Sequence, residues 1–180
     1  MNVVANNLKS IAETKAFRAQ MEDAFFEAMH IGYASEDKQK KTSIPELPGS
    51  KLVLPYVAGP WRVADTYLVT PAGPRSGGMT VIWYEGVPVW MMQYLGQYDE
   101  RAVPCLKAAL RAAYSRKEFF GGRGPDEFTF GVYRYQNDID KRWRTDFQGS
   151  NFFQGYEWVE MPGRSGQKLG WHSYQGMMLV

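Results

Sequence analysis

Val81-Ile82-Trp83-Tyr84-Glu85-Gly86-Val87-Pro88-Val89-Trp90 is the stretch whose reading decides the fold. β-Branched and aromatic residues flank a Glu-Gly pair, which is the pattern of two strands joined by a tight hairpin turn. Successive strand residues point to opposite faces, so Ile82 and Trp83 cannot share a side of the sheet. Pro88 has no amide hydrogen to give a ladder and is expected at an edge or facing outward.

Working outward, the same period of two marks strands over Trp61 to Val69 and Met79 to Tyr84, with a Pro- and Gly-rich loop from Pro71 to Gly78 between them. The second hairpin arm runs from Val87 to Tyr94. Phe128 to Gln136, Tyr156 to Met161 and Leu169 to Leu179 complete the strands, with a turn over Pro162 to Gln167. The chain from Ser35 to Ser50 carries Lys38, Lys40, Lys41, Pro45, Pro48 and Gly49 and reads as a solvated basic loop.

Two helices stand out. Phe17, Met21, Ala24, Phe25, Ala28 and Met29 form one apolar stripe, with Ser10 and Glu13 in capping-box form and Gly32 as a stop. Ala102, Val103, Leu106, Ala109, Leu110, Ala113 and Tyr114 form another; Asp99 favours an early start and Pro104 disfavours helix at Val103. Strands in runs around a helix predict an α+β class. The expected architecture is a single domain with a mainly antiparallel twisted sheet and about two helices on one face. Residues 1–24 are expected to form an N-terminal extension and helix start, and residues 25–180 the domain.

A chain of 180 residues fits one domain. The formal charge of +2 gives no field that would make nucleic acid the main partner. A single Cys105 excludes an internal disulfide and suits a reducing compartment, so cytoplasmic residence is expected. Met1 to Leu8 lacks the basic and apolar regions of a signal peptide. No stretch approaches the ~20 apolar residues of a membrane helix.

Several ordered segments carry a resemblance. Pro48-Gly49-Ser50-Lys51, Trp61-Arg62 with Asp65 and Tyr67, and the hairpin from Val81 to Trp90 are the first of them. Met92-Gln93-Tyr94-Leu95-Gly96, the Leu106 to Leu110 helix, Arg123-Gly124-Pro125, Tyr133-Arg134-Tyr135-Gln136-Asn137 and Tyr174-Gln175-Gly176 follow. Together they resemble a bacterial family of unknown function, number fifty-six eighty in the domain-of-unknown-function series. The resemblance covers roughly Phe25 to Val180. Some members look like the C-terminal halves of helix-turn-helix proteins, whereas the N-terminal stretch here has room for one helix. The resemblance implies a fold family and no reaction.

Chemical motifs are sparse. His30, His172 and Cys105 lack metal-ligand spacing, and no metal or other cofactor is expected. Cys105 falls in an apolar helical stripe, as a small hydrophobe does. Gly121-Gly122-Arg123-Gly124-Pro125 reads as a helix-ending turn, because no Lys-Ser or Lys-Thr follows and Asp126 and Glu127 would repel phosphate. Asp138 and Asp140 share a strand face and read as a solvated turn pair. Lys141-Arg142-Trp143-Arg144 is too short and too locally balanced by Asp138, Asp140 and Asp146 for a nucleic-acid site.

What remains is aromatic. Six Trp and eleven Tyr make the chain rich in side chains that serve cores and recognition surfaces alike. With helices on one face, the other would present Trp83, Trp90, Tyr94, Tyr135, His172 and Tyr174 to a ligand. The expected function is binding of a small molecule or peptide, with Gln93, Arg134, Gln136 or His172 supplying polar contacts. The alternatives are an enzyme using Asp65, Glu85 or His172 as acid or base in the same pocket, and a regulatory protein that self-associates. Neither a membrane nor nucleic acid is expected as a partner; a homo-oligomer is the partner under the self-associating alternative.

Overall fold

Glu85 and Gly86 both adopt positive φ, 48° and 81°, and so turn β4 (Arg75–Tyr84) tightly into β5 (Val87–Tyr98). Around this hairpin the computed structural model describes residues 8, 10–34, 41–140, 152–163 and 167–180. The other strands are β1 (Lys41–Thr42), β2 (Ser50–Ala58), β3 (Trp61–Val69), β6 (Glu127–Phe130), β7 (Tyr133–Ile139), β8 (Phe152–Glu160) and β9 (Lys168–Met178). All pair antiparallel in one sheet, in the order β1-β2-β3-β4-β5-β9-β8-β7-β6. The chain builds one half as a meander, crosses over through a helix, and builds the other half inward from the far edge. The last strands of the two halves therefore meet, β5 against β9. The α+β class with a single antiparallel sheet is what the sequence predicts.

Helix α1 (Lys15–Met29) starts at Thr14, whose hydroxyl accepts from the Phe17 amide at 3.2 Å, rather than at Ser10. Its buried residues are the expected stripe plus Phe26, and the helix runs without a break across residue 24. It continues into a π-turn, His30–Ala34, so Gly32 does not stop it. Helix α2 (Val103–Ser115) tolerates Pro104 because its first turn has amides without intrahelical partners anyway. Both helices pack on the face that carries Val63, Ile82, Trp90, Met92 and Tyr135, and these join Phe25, Phe26 and Leu110 in one core. None of the described helices is long and apolar enough to cross a membrane.

Two expectations about the strands change, and β2 is a strand beyond those expected, its pairing with β3 shifting register between Val53 and Tyr56. The run from Phe128 to Gln136 is two strands, since Gly131 at φ 59° opens a turn between β6 and β7. Gly77 and Gly78 belong to β4 instead of the preceding loop. A Cβ added at Gly78 would lie 2.5 Å from the Tyr67 Cβ and 2.7 Å from the Tyr94 hydroxyl, so glycine there makes room for two phenols. Lys38, Lys40, and the Lys141-to-Arg144 run lie outside the described residues.

Candidate functional site

Nine strands span about 38 Å at ~4.8 Å apiece, whereas two helices side by side cover about 20–24 Å. The space left between helices and sheet is a cavity of about 380 Å³. It lies on the helix-covered face, not on the bare face where a ligand surface was expected. Its apolar walls come from Met29, Met92, Val103, Leu106 and Leu110, and five phenols, Tyr33, Tyr67, Tyr94, Tyr98 and Tyr114, line it as well. Asp65, Arg123 and His172 bring buried charge and polarity to the same chamber.

Asp65 is 2 % exposed. Thr80 donates to its Oδ1 at 2.7 Å, Tyr94 to its Oδ2 at 2.9 Å, and Tyr33 to Oδ2 as well. The π-turn is what delivers Tyr33, since it adds a wider turn at the end of α1 just as the chain reaches the sheet. Burial raises the Asp65 carboxyl above its ordinary value, against the pull of the three hydroxyl donors and the Arg123 charge. With its lone pairs occupied by hydroxyls, Asp65 orients phenols more than it offers itself to a ligand.

The second group centres on Glu157, which has no exposed surface. Arg123 donates to its Oε1 at 2.5 Å, and Tyr135 donates to Oε2 at 2.6 Å. His172 Nδ1 lies 3.1 Å from Oε1 and 3.3 Å from the Arg123 guanidinium. Burial alone would push the Glu157 carboxyl up; the Arg123 charge and His172 overcome it and hold the group below the ordinary glutamate value. Burial, helped by the Arg123 charge, lowers the His172 imidazole against the raising effect of Glu157, so the ring is neutral at neutral pH. A neutral ring has one N–H. The nearer, anionic oxygen assigns it to Nδ1, and the Arg123 approach to that nitrogen is then a contact without a hydrogen bond.

Among the described residues, Nε of Arg123 and Nε2 of His172, both on cavity-lining residues, are buried without a hydrogen-bond partner. The Tyr98 hydroxyl makes no bond of normal geometry either, although it is close enough to Glu157 for that charge, after burial, to raise its pKa. Leaving such a group unsatisfied costs about 1–3 kcal/mol. Arg123 and His172 thus carry an unpaired donor and an unpaired acceptor, both buried within the chamber's lining.

The loop that brings Arg123 inside is the glycine-rich turn. Gly121 and Gly122 adopt φ of 64° and 70°, and a Cβ at Gly124 would meet the Tyr135 ring at 2.8 Å. Side chains pin the loop from both sides. Tyr114 donates to the Gly122 carbonyl at 3.0 Å, Asn137 to the Gly124 carbonyl at 2.8 Å, and the Gly124 amide donates to Tyr135 Oη at 3.0 Å. Helix α2 already ends at Ser115, so this turn does not end a helix as expected; it inserts a buried cation instead.

Of the residues expected to bind a ligand, Tyr94 and His172 line the cavity. Tyr135 does not line it; it donates to Glu157, which in turn contacts the lining residues Arg123 and His172. Trp90 and Tyr174 are core, with Trp90 against Phe25 and Tyr174 donating to Asn137 Oδ1 at 2.5 Å. Trp83 lies on the opposite face under the Arg62 guanidinium, 5.5 Å from its ring centre. Asp65 and His172 share the chamber, while Glu85 is exposed in its turn. Gln93 and Gln136 point away from the chamber, and Arg134 pairs with Glu160 on the outer face. Glu157 and Arg123 were missed. The signals were a lone Glu in phase with inward Phe153, Gly155 and Val159, and a lone Arg among three glycines.

Fold and site together define an α+β protein with one antiparallel sheet and a buried, polar-ended cavity beneath its helices. Residues 73–173 match the family described as Domain of unknown function (DUF5680), and the chain belongs to that family. The matched segment contains Tyr94, Tyr98, Arg123, Tyr135, Glu157 and His172, while Tyr33 and Asp65 lie outside it. No curated protein and no solved structure matches the chain.

Proposed function

We propose that the chain binds a small organic molecule in the chamber between sheet and helices. The observation that carries this reading is the pair of unpartnered atoms, Arg123 Nε and His172 Nε2, on two residues lining the cavity. Apolar walls with a few convergent polar groups are the usual make-up of a ligand site. A volume of about 380 Å³ is near the small end of the ~300–1,000 Å³ range of such sites, which favours a small molecule over a peptide. A screen of a metabolite library by ligand-detected NMR tests it. Hits should lose binding in Leu106→Trp, which fills the chamber, and weaken in His172→Gln. Hits indifferent to both changes would refute the reading.

A second reading, acid–base catalysis, is favoured by the Glu157–His172 contact. A carboxylate that fixes the Nδ1 proton leaves Nε2 as a base of defined direction. Incubating any hit with the protein and following its conversion by mass spectrometry tests this. Turnover should vanish in His172→Gln, and hits that bind without conversion would reject the catalytic reading alone.

A further inference from the structure

The charge at the cavity mouth narrows the ligand, given the cavity-binding reading above. The cavity-lining residues that are themselves exposed mark its opening, and they are Lys41, Val69, Gly73, Pro74, Arg75 and Lys107. Three are cationic and none is acidic. The Arg75 and Lys107 side chains have no hydrogen bond or ion pair among the described residues. Lys41 donates to the Tyr67 hydroxyl at 2.7 Å and lies 5.1 Å from that ring's centre, so it is held at the rim.

Among the described residues that line the cavity, no carboxylate offsets these charges at the mouth. The one acidic residue among them is Asp65, at 2 % exposure and engaged by Thr80, Tyr94 and Tyr33. Helix α2 adds to the positive potential. Val103, Leu106 and Lys107 of its first turns line the cavity, its N-terminus has no side-chain cap, and its first turn has no acidic residue. Below the mouth the walls are methionine, leucine and phenol.

We propose that the cavity takes an amphipathic organic anion. Its apolar body fills the chamber and its carboxylate or phosphate rests at the mouth among Lys41, Arg75 and Lys107. Cations gathered around the opening raise the local concentration of such an anion and hold it once bound. The buried donor and acceptor on Arg123 and His172 then engage any polar group at the other end.

The test is a trio of matched probes, phenylbutyrate, phenylbutanol and phenylbutylamine, titrated against the full chain by saturation-transfer NMR at low and high salt. Two or three partly solvated ion contacts predict about tenfold tighter binding of the carboxylate than of the alcohol. The amine should be weakest, and the preference should shrink with salt. Arg75→Gln with Lys107→Gln, both exposed and remote from the core, should remove the preference and leave the alcohol unchanged. Equal binding of all three probes, displaced by Leu106→Trp, would overturn the anion preference and leave the cavity reading intact. Binding of none, or binding untouched by Leu106→Trp, would overturn both.

Discussion

Glu157 and His172 sit directly opposite each other on β8 and β9, with the carboxylate Oε1 3.1 Å from the imidazole Nδ1. The neighbouring ladder places Gly96 opposite His172, where a Cβ would come within 2.8 Å of the ring. Glycine on one side and a carboxylate on the other leave the imidazole little freedom to turn. Arg123 closes the arrangement.

Removing Arg123 leaves Glu157 buried without its cation. Breaking a buried pair from one side is expected to destabilise by about 3–5 kcal/mol. Arg123→Met should therefore lower the urea midpoint sharply. Arg123→Met with Glu157→Gln should recover a large part of the loss, because no charge is then left unpaired. A double change no better than the single one would show that the pair is not the reason for the loss.

The pH dependence of stability has two limbs of one sign and one of the other. The His172 pKa is lowered on folding from 6.5, so its contribution is complete above that value and lost as pH falls below it. The Glu157 pKa is lowered from 4.5, so its contribution is lost as pH falls further below 4.5. Asp65 is raised from 3.8, so it opposes folding increasingly as pH rises above 3.8. Urea unfolding from pH 4 to 7 should show stability rising toward neutrality in the native chain, and His172→Gln should flatten the limb just below 6.5. A limb unchanged by that substitution would place its origin elsewhere.

Gly124→Ala puts a methyl group against the Tyr135 ring, which has no exposed surface to retreat to. Overpacking of this kind destabilises by about 1–3 kcal/mol. The displaced tyrosine should also give up its bond to Glu157, visible as weaker hydrogen-exchange protection in β7 and β8. Gly86→Ala, where a Cβ has open space, is strained by its positive φ alone and should leave that protection intact.

Cys105 has no exposed surface, and burial pushes its thiol up to about 11. It should ignore Ellman's reagent in the native state and react at the rate of unfolding in denaturant. Fast native labelling would contradict the packing of α2 against the sheet.

Much of the sheet was legible because alternation survives in the strands that matter. Trp90, Met92, Tyr94, Gly96 and Tyr98 all face inward on β5, and Gly170, His172, Tyr174, Gly176 and Met178 on β9. The limits were local. Gly131 hid the β6–β7 turn because one glycine in an aromatic run gives little contrast. Alternation told which side Tyr94 and His172 share but not that the helices would cover that same side. Arg123 was invisible for a related reason: a sequence shows that a glycine-rich segment turns the chain, but not that the turn carries a side chain back into the core.

The most direct measurement is the nitrogen NMR spectrum of the imidazole rings. The chain has two histidines, so His30→Gln leaves His172 as the single signal. At neutral pH the account predicts a proton on Nδ1 and a bare Nε2, and a marked shift of Nε2 when a molecule from the screen occupies the chamber. A proton on Nε2 in the free protein, or an Nε2 signal that stays put while such a molecule binds, would contradict it.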